Sequence, residues 1–424
     1  MNLSEMNDEQ RSNAEFLYNS PIQSNLETKL KQLLDKLTTD GKIIGIQVCA
    51  YKDGEVVIDS VAGVLGEDDP RPVKHDSLFP VFSVTKGITA GMLHWVIDHG
   101  GKLKLDENVS TIWPGFGING KDLIKVHHAL NHTSGLHNAM PDTMMSPKLS
   151  NWNECLNDIV VATPESEPGH TQLYHYSSFG WLCGGIIEHA SGKKFQDVLQ
   201  QAIVQPLDIE GELYIGIPPG VESRLASLTP DTQDFILIQS IKRPELPSTF
   251  QPSDIAKNIH NFCKVFNGLE GRQAIVPAAN GHVTARALAR YYATLASGGI
   301  VPPPYPSSNK DNGRIKIYQN PKIHEAFMGV GDYADFALPN GVFGLGFKRY
   351  ASEEGLMAFG HSGLGGSVGF CDVKCNFAIA VTVNKVSLGV VTAQVVHLVC
   401  SELNVPMPAD FMAFVGKGAQ VKIN

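Results

Sequence analysis

The run Leu78-Phe79-Pro80-Val81-Phe82-Ser83-Val84-Thr85-Lys86 decides how this chain is read. An apolar approach delivers a serine to the start of a helical pattern, in which Val84, Ile88, Met92, Trp95 and Val96 form an inward stripe. Residues three apart share a helical face, so Lys86 lies one turn from the Ser83 hydroxyl. A serine hydroxyl is a poor nucleophile until a base takes its proton, and a lysine serves only where burial lowers its pKa. A helix N-terminus favours negative charge at Ser83. The same residues also read as an ordinary helix start, with Ser83 as N-cap and Lys86 in solvent. S-x-x-K alone does not choose, because the chain also holds Ser191-Gly-Lys-Lys194 in a turn and Ser307-Ser-Asn-Lys310 in a Pro-rich loop. Only the copy at Ser83 follows an apolar approach and opens a helix.

Outward from this stretch, the chain is strand-rich at both ends and helical between. Before it, Asn25 to Leu37 places leucines at helical spacing, and Asp40-Gly41 stops the helix. Ile43 to Tyr51 and Glu55 to Val61 read as strands joined by the turn Lys52-Asp53-Gly54. Near the other end, Gly344 to Tyr350, Gly355 to Phe359, Ser367 to Cys371 and Phe377 to Val383 read as strands, and Val390 to Leu403 as a closing helix. Helical patterns fill the middle at 84–98, 179–190, 195–204 and 285–297. One antiparallel sheet built from both ends is expected, an α/β sandwich flanked by helices with a mostly helical second region. The divisions are a polar leader at 1–24, a sheet part at 25–82 and 285–424, and a helical part at 83–284, forming one catalytic unit. The Pro- and Ser-rich segment 301–313 reads as an exposed loop.

Composition narrows the function. The chain has 424 residues, 43% of them apolar and 18% charged, so it can bury a large core. Its formal net charge of −9, with no basic stripe, argues against a nucleic-acid partner. The polar, acidic start reads as neither a signal peptide nor a transit peptide, and the apolar run Phe377 to Val383 is too short to span a membrane. With seven cysteines and no paired spacing, a cytoplasmic location with reduced, buried thiols is expected, or an organelle if the chain is part of a longer precursor.

Two further stretches could carry chemistry. Tyr174-His175-Tyr176-Ser177-Ser178-Phe179-Gly180-Trp181 precedes a Gly-rich helix, where a tyrosine is ordinarily a core or interface aromatic. Phe359-Gly360-His361-Ser362-Gly363-Leu364-Gly365-Gly366 ends a predicted strand. Its glycines let main chain approach a ligand and expose N–H groups, although it also reads as a turn.

Together the three stretches resemble the penicillin-binding-like serine hydrolases, a family that includes class C β-lactamases and family VIII carboxylesterases. Ser83-Val-Thr-Lys86 resembles the first motif, Tyr176-Ser-Ser178 the Tyr-x-Asn motif, and His361-Ser-Gly363 the Lys-Thr-Gly strand. Leu130-Asn-His-Thr-Ser-Gly-Leu136 and Asn280-Gly-His-Val-Thr-Ala-Arg286 are similar to flanking segments of the family, so the likeness runs from about residue 25 to 403 in family order. The nearest likeness is the β-lactamase-like half of plant proteins that also carry an atypical kinase-like domain. The kinase-like part has no counterpart in this sequence, which raises the expectation that Met1 is an internal or redefined start.

The resemblance implies a β-lactamase/transpeptidase-like fold and acyl transfer through Ser83. In it, Lys86 and Tyr176 shuttle the proton and the main-chain N–H groups of Ser83 and Leu364 form the oxyanion hole. Ser178, His361, Ser362 and Gly363 would bind substrate. Ser178 stands where β-lactamases hold Asn, and His361 where they hold a permanently charged Lys. Both departures favour an uncharged ester, thioester or lactone over a β-lactam. The expected activity is that of an esterase, with an acyltransferase or a catalytically dead binding module as alternatives. The expected partner is a small-molecule acyl substrate, with no metal and no cofactor. Nothing in the sequence sets the oligomeric state.

Two rivals fit less well. Gly365-Gly-Ser-Val-Gly369 matches G-x-S-x-G, but a strand rather than a helix is predicted after Ser367, and His397 precedes Asp410. His128 and His132 could share a helix face for zinc, yet Ala129, Leu130 and Asn131 stand between them without the glutamate of H-E-x-x-H.

Overall fold

Ser24 accepts a hydrogen bond from Glu27 N at 3.0 Å and starts helix α1 (Asn25–Thr39), whose Leu26, Leu30, Leu34 and Leu37 are buried. The chain then forms the hairpin of β1 (Gly45–Lys52) and β2 (Glu55–Gly63). Asp53 and Gly54 both take positive φ at its tip, 54° and 84°, the geometry that a tight hairpin requires. This computed structural model describes residues 24–415 apart from 102, 141–144, 240, 242, 304–314 and 353–354. The polar leader up to residue 23 and the Pro-rich loop from 304 lie outside the described residues.

The helical middle contributes α2 (Val84–Gly100), α3 (Ser178–Ser191), α4 (Ile259–Asn267) and α5 (Ala285–Ala296). Strands β3 (Lys348–Ser352), β4 (Gly355–Ser362), β5 (Val368–Asp372) and β6 (Phe377–Val383) follow, then α6 (Val390–Leu403) and α7 (Ala409–Val415). The six strands form one antiparallel sheet in the order β2-β1-β6-β5-β4-β3. The two chain ends therefore meet at the β1–β6 pair, where Ile46 faces Val383.

Alternation explains how the sheet is buried on both faces. Ile46, Val48 and Ala50 of β1, with Ile379 and Val381 of β6, pack with Leu30 and Leu34 of α1 and Val395, Val396 and Val399 of α6. Cys49 and Tyr51 point the other way, with Ala378 and Ala380, into a core shared with Leu288, Tyr291 and Tyr292 of α5. The small residues on that face admit the tyrosines: a Cβ on Gly369 would run into the Tyr292 ring.

Some element bounds differ from expectation. The strand expected from Gly344 begins at Lys348, and the one expected to end at Phe359 continues to Ser362 because His361 pairs with Gly369. The 195–204 helix changes to π-helical winding at Gln200–Val204. None of the seven cysteines is in a disulfide. Among the described residues, no helix is long and apolar enough to cross a membrane.

Candidate active site

Three segments that are far apart in sequence converge where the end of β4 meets the start of α2. Phe82 carries the conformational cost, with a φ of 45° that a non-glycine residue adopts only under constraint. Beyond it Ser83 sits at the α2 N-cap with its side chain making no cap hydrogen bond. Gly363 presses against the same turn, and a Cβ there would collide with the Val81 carbonyl. A glycine is therefore needed at 363 for the two segments to touch.

Lys86 is completely buried, and its Nζ lies 3.0 Å from Ser83 Oγ. It also donates to two main-chain carbonyls, Tyr176 O at 2.7 Å and Ala278 O at 2.9 Å. Burial holds this amine well below its ordinary pKa of 10.5. The consequence is stereochemical. A carbonyl can only accept, so two of the amine's hydrogens are committed, and in the neutral form its lone pair is left for the Ser83 hydroxyl.

The phenol placed next to the serine is that of Tyr174. Its hydroxyl makes a side-chain hydrogen bond with Ser83, and its ring lies 4.8 Å below Lys86 Nζ. Burial raises its pKa, and the bond to Ser83 opposes the rise. Tyr176, expected to supply this phenol, meets Lys86 through its main-chain carbonyl. Its ring stacks on Phe250 at 5.2 Å and packs edge-on to Tyr174 at 4.9 Å. Sequence reasoning read past Tyr174, and two tyrosines one residue apart in non-helical chain carry no signal that ranks them.

The remaining candidates divide. Ser178, expected to bind substrate, is wholly buried outside the cavity walls, and its hydroxyl donates to Leu136 O at 2.7 Å. The short side chain has turned inward to pin the 130–136 turn against α3. His361, Ser362, Gly363 and Leu364 all line the cavity that contains Ser83. The His361 Nδ1 lies 2.9 Å from the Ser362 carbonyl, which makes Nδ1 the protonated nitrogen. Burial, with Lys86 and Lys348 nearby, lowers its pKa to about 3, so the ring is neutral. Ser362 Oγ is 2.8 Å from the Tyr350 hydroxyl. Among the described residues, neither the Ser83 nor the Leu364 N–H has a protein acceptor.

The rival sites are occupied by structural bonds. Ser367 Oγ accepts from Val383 N at 3.1 Å between β5 and β6, and a strand follows it. His128 accepts from Lys125 N, and His132 from His175 N. The described residues hold no cluster of side chains fit for a metal.

The cavity has a volume of about 620 Å³. Phe82, Phe250, Phe262 and Phe266 give it an aromatic wall, with Phe82 and Phe266 in edge-on contact at 5.3 Å.

Comparison with known proteins agrees with this geometry. A sequence model of the β-lactamase family matches residues 30–398. The esterase/β-lactamase LipL of Mycobacterium tuberculosis is 28% identical over 371 residues, which is 80% of this chain and 77% of that protein. A penicillin-binding protein homologue from Caulobacter crescentus superposes with a TM-score of 0.68 at 28% identity, over 86% of this chain and 93% of that one. A family VIII carboxylesterase does so with a TM-score of 0.68 at 25% identity, with the same coverage.

Proposed function

The chain belongs to the β-lactamase family and is a β-lactamase-fold serine hydrolase, and on that premise we propose that it is an esterase working through a covalent Ser83 acyl-enzyme. The observation that carries this reading is the disposition of Lys86 Nζ, with two bonds to carbonyls and the third direction, at 3.0 Å, toward Ser83 Oγ.

Ser83 Oγ attacks the substrate carbonyl carbon while its proton passes to the neutral Lys86 amine. The carbonyl oxygen becomes an oxyanion held by the Ser83 and Leu364 N–H groups. Such a donor contributes about 3 kcal/mol of barrier lowering. As the tetrahedral intermediate collapses, the C–O bond to the leaving alcohol breaks, and that alkoxide takes the proton from Lys86 through the Tyr174 hydroxyl. Water then repeats the sequence and frees the acid and Ser83. Tyr174 takes the phenol's part in this scheme because its hydroxyl is hydrogen-bonded to Ser83.

An uncharged ester, thioester or lactone suits the walls. Phe82, Phe250, Phe262 and Phe266 accept an apolar acyl group, and the neutral His361 offers no charge to an anionic one. An alcohol reaching the same intermediate ahead of water would turn the hydrolase into an acyltransferase. Intact-mass analysis after a panel of p-nitrophenyl esters tests the proposal. A mass gain equal to the acyl group, lost in Ser83→Ala, is expected, whereas a gain that survives in Ser83→Ala contradicts it.

A further inference from the structure

Phe250 reaches the cavity from a loop, 243–251, outside the three segments that surround the nucleophile. Gln251 knits this loop to itself. Its Nε2 donates to the carbonyls of Arg243, Leu246 and Pro247 at 3.1, 3.2 and 3.1 Å, and its Oε1 accepts from Arg243 N at 3.1 Å. A loop closed by its own side chain shifts as a unit. The Phe250 ring stacks on Tyr176 at 5.2 Å, and Tyr176 packs edge-on to Tyr174, whose hydroxyl bonds Ser83. Leu246 and Phe250 pack with Leu173, Tyr174 and Phe343, contacts that hold the loop without setting a direction.

A carboxylate adds the direction. Thr249 Oγ1 donates to Glu165 Oε2 at 2.6 Å, a length typical of a hydroxyl bound to a charged oxygen. His137 Nε2 lies 3.1 Å from the same oxygen, and Asn138 Nδ2 donates to Oε1 at 2.9 Å. Burial lowers the pKa of His137 despite the carboxylate beside it, so the ring is neutral and Nε2 carries its hydrogen. Thr249, His137 and Phe250 all line the cavity, whereas Glu165 stands outside its walls with its side chain 36% exposed.

We propose that Glu165 is a specificity-determining residue that, through Thr249, holds Phe250 as a closed wall and so confines the site to slender esters. It catches the 243–251 loop against the turn that carries His137 and Asn138. With the catch broken, apolar packing alone holds Phe250 on Tyr176, and the ring can slide to make room for a branched or aryl group. Glu165 touches no substrate and acts through Thr249, so it is a positioning residue. The link to ester turnover rests on the Ser83 reading, but the size of the wall does not.

Turnover of p-nitrophenyl acetate and of p-nitrophenyl diphenylacetate, each compared with the native chain on the same ester, tests the catch. Glu165→Ala should raise kcat/KM for the diphenylacetate about tenfold or more, mainly through KM, and leave the acetate within about threefold. Thr249→Val, which removes the hydroxyl alone, should shift the diphenylacetate the same way by about threefold or more. Glu165→Gln should keep the native selectivity, because an amide oxygen still accepts from Thr249 and from neutral His137. A change of less than about twofold in Glu165→Ala, an equal gain for both esters, or the same gain in Glu165→Gln overturns the assignment. Binding separates this from the nucleophile. By calorimetry, methyl diphenylacetate should bind the Ser83→Ala chain about tenfold more tightly once Glu165→Ala is added. Absence of that difference contradicts the wall, whereas turnover that survives in Ser83→Ala contradicts the nucleophile.

Discussion

The turn that opens α2 and the segment Tyr174–Ser178 both supply groups to one site, yet they differ in how their side chains are directed. In α2 the placement of Lys86 beside Ser83 follows from helical geometry, since three residues bring a side chain back to the same face. Between 174 and 178 no local repeat acts. Tyr174 reaches Ser83, Tyr176 offers a carbonyl to Lys86 and a ring to Phe250, and Ser178 turns into the core toward Leu136. Helical periodicity aims a side chain from sequence, whereas in irregular chain the aim is set by distant neighbours.

Substitutions in the two regions test that contrast. Ser83→Ala should have the largest effect, reducing ester turnover by about 10⁴-fold or more, as measured by p-nitrophenolate release. Lys86→Met, which keeps length and burial but removes the lone pair, should cost about 10³-fold, with the loss in kcat rather than KM. In the other region Tyr174→Phe should lower kcat by about 10²-fold, while Tyr176→Phe, which keeps the carbonyl on Lys86, should lower it less than about tenfold. The reverse ranking would return the phenol to Tyr176 and break the comparison. Ser178→Ala should have the smallest effect on turnover. It leaves the Leu136 carbonyl without its donor, so a loss of about 1–3 kcal/mol in denaturant unfolding is expected with kcat nearly unchanged. A fall in kcat without a fall in stability would restore Ser178 to the substrate site.

The same physics divides what could be read in advance. Alternating apolar residues in β1 and β6 and the leucine spacing of α1 made the sheet and its outer helix legible, because one buried face repeats locally. The extension of β4 to Ser362 was not, since it depends on His361 pairing with Gly369 across the sheet. Ser83 and Lys86 were legible as candidates from their helical spacing after an apolar approach, and the glycines around Leu364 as main chain that could meet a ligand, while their catalytic roles came only with the family resemblance. Tyr174 was hidden by the tyrosine two residues on. Glu165 was hidden by distance, because 84 positions separate it from the Thr249 it holds, and no pattern in either segment announces the other.

The claim on which all this depends is that Lys86 is a neutral amine when Ser83 attacks. The most direct measurement is the pH dependence of the acylation burst with p-nitrophenyl acetate, followed by stopped flow in the native chain and in Lys86→Met. Burial lowers the Lys86 pKa, and the unprotonated form is the active one. The burst rate should therefore rise with pH, level off well below 10.5, and lose that inflection in Lys86→Met. A rate that keeps climbing to the ordinary lysine range, or an inflection unchanged in Lys86→Met, would contradict the account.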